Sequence, residues 1–120
     1  MTGQQFARVS RIAFWTCAVA VLVLSLAPAT APMPSTGWDK TNHLLAFAML
    51  AFWAHGAYPG RTSAVLLGLL AYGGLIEALQ ALTPDRSAEW GDLLADSAGL
   101  VFGEMLARLV RPWLAKELQR

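Results

Sequence analysis

The feature that most constrains this chain is where its charges are missing. No Lys, Arg, Asp or Glu occurs from Ile12 to Trp38, or from Thr41 to Gly60. Runs of this kind match the roughly 20 residues that a helix needs to cross a bilayer core. Composition points the same way: 56% of the 120 residues are hydrophobic and 14% are charged. Soluble domains have about 45–50% and about 25%. A small soluble domain has too much surface to cover with so few charges. The expectation is an all-α integral membrane protein forming one domain over residues 1–120.

Proline and glycine punctuation divides the chain into four helices. The first covers about residues 6–27 and is stopped by Pro28, Pro32 and Pro34. The second covers about 39–55 and ends at the turn His55–Arg61; the third covers about 62–83 and ends at Pro84. The fourth covers about 90–110 and precedes Arg111-Pro112. Proline disfavours helical geometry at and before its own position. Short connectors make successive spans antiparallel neighbours, which predicts a four-helix transmembrane bundle. Arg8, Arg11, the following apolar run and Ala29-Thr30-Ala31 also fit a cleaved signal peptide, although the run is long for one.

Basic residues orient the bundle. An N-in/C-in topology puts Arg8, Arg11, Arg61, Arg108, Arg111, Lys116 and Arg120 in the cytoplasm, leaving Lys40 and Arg86 outside. The opposite topology inverts that bias. Trp38 and Trp90 then mark the outer interface, and Trp15, Trp53 and Trp113 lie towards the inner one.

With this orientation the unusual polar residues share one level. Asp39 and Lys40 open the second helix, the connector before Asp92 is external, and Glu77 lies about two turns in from Pro84, roughly 10 Å. Helical periodicity sorts them onto faces: Asp39, His43 and Phe47 on helix two; Gly73, Glu77 and Gln80 on helix three; Asp92, Asp96, Gly99 and Gly103 on helix four. Ionisable groups held in hydrocarbon cost about 2.5–3.5 kcal/mol on insertion scales, so they mark candidate sites. The three stripes are expected to converge on one pocket that opens to the extracytoplasmic side.

These residues also carry a resemblance. Asp39-Lys-x-x-His43-x-x-x-Phe47, Glu77-x-x-Gln80, Arg86 and Asp92-x-x-x-Asp96-x-x-Gly99-x-x-x-Gly103 together resemble the VanZ-like family, over about residues 38–106. The resemblance implies a small multi-pass protein of the bacterial cytoplasmic membrane. The family's namesake is associated with resistance to the glycopeptide teicoplanin. Where the family usually carries Asn, this chain has Asp96.

Other chemistries are weaker. Asp39, His43, Glu77, Asp92 and Asp96 offer oxygen and imidazole donors, but no second histidine joins them, so no metal and no cofactor is expected. Ser87 and Ser97 lie near His43 without a nucleophile elbow, and Ser97 points away from the Asp96 stripe. A net charge of +1 with no basic stripe speaks against nucleic acid. The lone Cys17 reads as a small buried hydrophobe. Gly99 and Gly103 read as a helix-contact surface, with Gly73 and Gly74 as a possible match. Glu104 and Arg108 form an i, i+4 pair, and His55 has no role beyond the inner turn.

The expected function is a largely non-enzymatic envelope protein. Asp39, Lys40, His43, Glu77, Gln80, Arg86, Asp92 and Asp96 would bind a polar headgroup: an envelope lipid, a cell-wall precursor or an amphiphile such as a glycopeptide. The alternatives are a membrane enzyme using Glu77 and His43 as acid and base, or a non-catalytic partner subunit or homo-oligomer.

Overall fold

The computed structural model describes residues 2–26, 39–82 and 90–118. The expected proline-rich connector, Arg86 and Ser87 lie outside the described residues, as do the side chains of Asp39, Leu114, Ala115 and Leu118. Four helices make up the described chain: α1 (Gly3–Leu26), α2 (Asp39–Ala57), α3 (Thr62–Ala81) and α4 (Trp90–Leu118).

Most helix limits fall within two residues of the sequence expectation, and two depart further. Helix α1 begins earlier because Thr2 and Gln5 cap it reciprocally. Thr2 Oγ1 accepts from the Gln5 N–H at 3.1 Å, and Gln5 Oε1 accepts from the Thr2 N–H at 2.7 Å. This is the capping-box exchange, which satisfies two otherwise unpaired donors. Helix α4 runs through Pro112 to Leu118 instead of ending near Val110. Proline at that point removes one backbone donor, and the affected turn is exposed at the end of the bundle.

Between α2 and α3 the chain reverses at Tyr58-Pro59-Gly60-Arg61, where the Arg61 N–H donates to the Tyr58 carbonyl at 3.2 Å. Gly60 has φ +80, the left-handed value required at the third position of such a turn, and Pro59 supplies the second.

Side-chain pairings set the directions. Ser10 meets Gly56, and Arg11 Nη1 donates to the Ala57 carbonyl at 3.4 Å, so α1 is antiparallel to α2. Tyr72 donates to the Ala18 carbonyl, and Gln80 Nε2 donates to the Ser25 carbonyl at 2.9 Å, so α1 and α3 run parallel. His43 meets Asp96 and His55 meets Glu104, so α2 and α4 also run parallel. The result is an up-down-up-down bundle in which α2 and α4 make the most extensive contact.

That contact depends on small residues. A Cβ on Gly99 would strike the Leu44 carbonyl oxygen, and one on Gly103 would strike the Ala48 carbonyl oxygen. The two backbones therefore touch, as small-xxx-small faces allow. The surface that meets Gly99 and Gly103 is thus α2, not the Gly73–Gly74 pair. Gly73 faces Asp96, and a Cβ on Gly74 would meet nothing within 4 Å.

The core contains Phe47, Leu50, Ala51, Ala54, Leu69, Ile76 and Leu100, yet polar groups are buried among them. Asp96 and Ser10 are 0% exposed, whereas Leu67 is 67% and Leu109 76% exposed. Large apolar side chains on the outside and carboxylates within invert the soluble pattern. Among the described residues, α1 and α3 are long and apolar enough to cross a membrane. Helices α2 and α4, expected as spans too, fall below that criterion among the described residues: Lys40, Asn42, His43 and His55 lower the hydropathy of α2, and Asp92, Asp96, Glu104, Arg108 and Arg111 that of α4.

Candidate functional site

Two turns of α2 and two of α4 frame the cluster. Lys40 and His43 project from the start of α2; Asp92 and Asp96 project from the start of α4 on one face, because they are four residues apart. Asp92 lies in the first turn of α4, where the helix dipole favours an acid.

His43 links the two acids. Its Nδ1 lies 2.8 Å from Asp96 Oδ1, and its Nε2 lies 3.8 Å from Asp92 Oδ2. Lys40 Nζ lies 3.7 Å from Asp92 Oδ1. Gly91 makes room for that lysine: a Cβ there would come within 2.6 Å of Lys40 Cε.

Helix α3 closes the cluster with Gly73 and Glu77. A Cβ on Gly73 would lie 2.7 Å from Asp96 Oδ2, so only glycine lets this carboxylate sit against α3. Asp96 Oδ2 is buried and has no hydrogen-bond partner among the described residues. One turn on, buried Glu77 brings a carboxylate oxygen within 4.8 Å of donor atoms of His43 and Asp96. The Phe47 ring forms the apolar floor, 3.3 Å from the same Gly73 Cβ position. Lys40, His43, Glu77, Asp92 and Asp96 thus come together from three helices.

The VanZ/LLP1 family model matches residues 3–111, a span that includes all of these groups. This chain belongs to the VanZ/LLP1 family. No curated protein and no solved structure matches it. Membership, together with the apolar helices α1 and α3, makes it a VanZ-like membrane protein.

Not every expected site residue of this VanZ-like protein faces the cluster. The Gln80 amide donates to the Ser25 carbonyl and ties α3 to the end of α1. Asp39 opens α2, but its side chain is outside the described residues, as is the whole of Arg86. Ser97 Oγ donates to the Leu93 carbonyl at 3.0 Å within its own helix, away from His43.

A second polar group was missed. His55 Nδ1 lies 3.0 Å from Glu104 Oε1, and His55 Nε2 lies 3.3 Å from Arg111 Nη1. Arg108 Nε donates to the same Glu104 oxygen at 2.8 Å. His55 is therefore a buried-carboxylate partner rather than an idle turn residue. The Glu104–Arg108 pair follows from i, i+4 spacing, but no periodicity within α4 reveals a partner on α2. Two shallow depressions, each with room for about 10 Å³, adjoin His55 at this end of the bundle.

Proposed function

We propose that this VanZ-like protein is a multi-pass protein of the bacterial cytoplasmic membrane, oriented N-in/C-in, whose polar cluster faces outward and binds the headgroup of an envelope amphiphile. The observation that carries this reading is the convergence of His43, Glu77, Asp92 and Asp96 from three helices at one end of the bundle. Polar side chains at membrane depth need partners, and a shared cluster near one interface offers them to a ligand as well as to each other.

The charge distribution supports the orientation. Arg8, Arg11, Arg61, Arg108, Arg111 and Lys116 belong to helix ends at the opposite extremity, and the positive-inside bias assigns that extremity to the cytoplasm. Lys40 is the described basic residue on the acidic side and would meet an anionic group of the ligand, as would Arg86. Lys40, Glu77 and Asp96 would fix its polar atoms, with His43 holding Asp96 in place. A lipid headgroup, a cell-wall precursor and a glycopeptide such as teicoplanin all present such groups. Recognition by hydrogen bonding requires no reaction.

The test compares Glu77→Gln, Asp96→Asn and Lys40→Gln with the wild type, each at matched membrane abundance. Glycopeptide susceptibility and binding of radiolabelled envelope lipid extracts are the measurements. The reading expects reduced binding and an altered susceptibility in all three. Unchanged values in every variant would sink it.

A further inference from the structure

We infer that His43, Glu77 and Asp96 form a binding site for one divalent transition-metal ion, with Asp92 as a carboxylate partner of the bound imidazole. This goes beyond headgroup binding and does not depend on it. Donor atoms of the three residues lie within 4.8 Å of one another and come from three different helices. Two ligands at metal bond lengths of about 2.1 Å stand at most about 4.2 Å apart, so a small inward shift closes the shell. The second observation is Asp96 itself. Its residue is 0% exposed, and Oδ2 lies against Gly73 with no hydrogen-bond partner among the described residues.

Charge balance favours a cation here. Asp92, Asp96 and Glu77 are buried together, and among the described residues Lys40 is the one fixed positive charge beside them, 3.7 Å from Asp92. Isolated buried carboxylates carry a large desolvation cost, which protons or a metal ion relieve. One imidazole with two carboxylates suits zinc, manganese or iron, whereas calcium and magnesium prefer all-oxygen shells. Sequence spacing argued against a metal because a second histidine is missing. Gathering from separate helices supplies carboxylates in its place, and a three-ligand set leaves a coordination position open.

The metal would bind with His43 rotated so that a ring nitrogen and an Asp96 oxygen both face the ion. Asp92 then takes the other ring nitrogen, now 3.8 Å away, as an outer-shell partner. Carboxylate partners of this kind orient metal-bound imidazoles and raise their basicity.

The probe is Co²⁺ alone, added to the chelator-treated full-length protein in mild detergent. The expected result is saturable binding of one equivalent with visible d–d absorption of a low-coordinate N/O site. Glu77→Gln and Asp96→Asn should each weaken binding by more than about 100-fold, beyond the range of outer-shell changes. Glu104→Gln should bind like the wild type. A variant-free readout protects the test against misfolding: the paramagnetic ion should shift His43 ring protons in NMR spectra and spare His55, about 18 Å further along α2. Absence of saturable binding, equal effects on both histidines, or undiminished binding by both folded variants would overturn the site. Loss of metal binding with headgroup binding intact in the wild type would remove this inference alone.

Discussion

His43 and Asp96, 53 residues apart in the chain, meet at 2.8 Å across the α2–α4 contact, and Asp96 is wholly buried there. A histidine–carboxylate pair inside an apolar bundle is costly to break from one side, because the partner left behind keeps its desolvation penalty.

Asp96→Asn retains an acceptor oxygen of the same shape, whereas Asp96→Ala removes it. The alanine variant should lose about 1–3 kcal/mol of stability through the stranded imidazole, and the asparagine variant should lose less. Denaturant unfolding in detergent, followed by circular dichroism, checks the order of the two.

Gly103→Ala should destabilise the bundle by about 1–3 kcal/mol, because overpacked cores force backbone shifts. A Cβ at 103 meets the Ala48 carbonyl on a neighbouring helix, which cannot turn aside like a side chain. Gly68→Ala is the control. A Cβ there meets nothing within 4 Å, and helix propensity should add up to about 1 kcal/mol of stability. Thermal unfolding of both variants, measured side by side, should move in opposite directions.

Glu104→Ala should lower the yield of folded protein more than Arg108→Ala. Glu104 is buried and accepts from Arg108 while also meeting His55, whereas the Arg108 side chain is mostly exposed. Exposed ion pairs contribute roughly 0.2–1 kcal/mol, and a stranded buried group costs about 1–3 kcal/mol. Size-exclusion recovery of the two variants from identical membrane preparations gives the comparison.

Topology is checked by cysteine accessibility in a Cys17→Ser background. Trp90→Cys should react with an impermeant maleimide from outside the cell, and Pro59→Cys only after the membrane is permeabilised. Both positions are exposed, Trp90 at 84%. Labelling of both from the same side would reject an up-and-down arrangement across the bilayer.

The four helices were legible because apolar runs, prolines and the Pro59-Gly60 turn all act over short stretches of chain. The cluster was legible in part: one-turn spacing put Asp39 with His43 and Asp92 with Asp96, Lys40 entered beside Asp39 at the start of helix two, and helix order placed Glu77 at the same end. The inner pair was not, since spacing along α2 cannot tell His55 that Glu104 lies opposite. Gln80 shares the helical stripe of Glu77, but its amide donates to the Ser25 carbonyl on α1, a choice set by helix rotation rather than periodicity. Gly99 and Gly103 announced a close approach, while its target depended on which helix packs against that face of α4. The Thr2–Gln5 exchange has its signature in Thr-x-x-Gln, ahead of the apolar run that marks the first helix.

Backbone contact at Gly99 and Gly103 also limits how α4 can move. Any sliding along its neighbour would move the Leu44 and Ala48 carbonyls off the glycines onto residues that carry a Cβ, and pull Asp96 and Glu104 from their histidines in the same stroke. The pair has no half-shifted register to rest in. The histidine–carboxylate contacts at its two ends are therefore coupled, to be kept together or lost together.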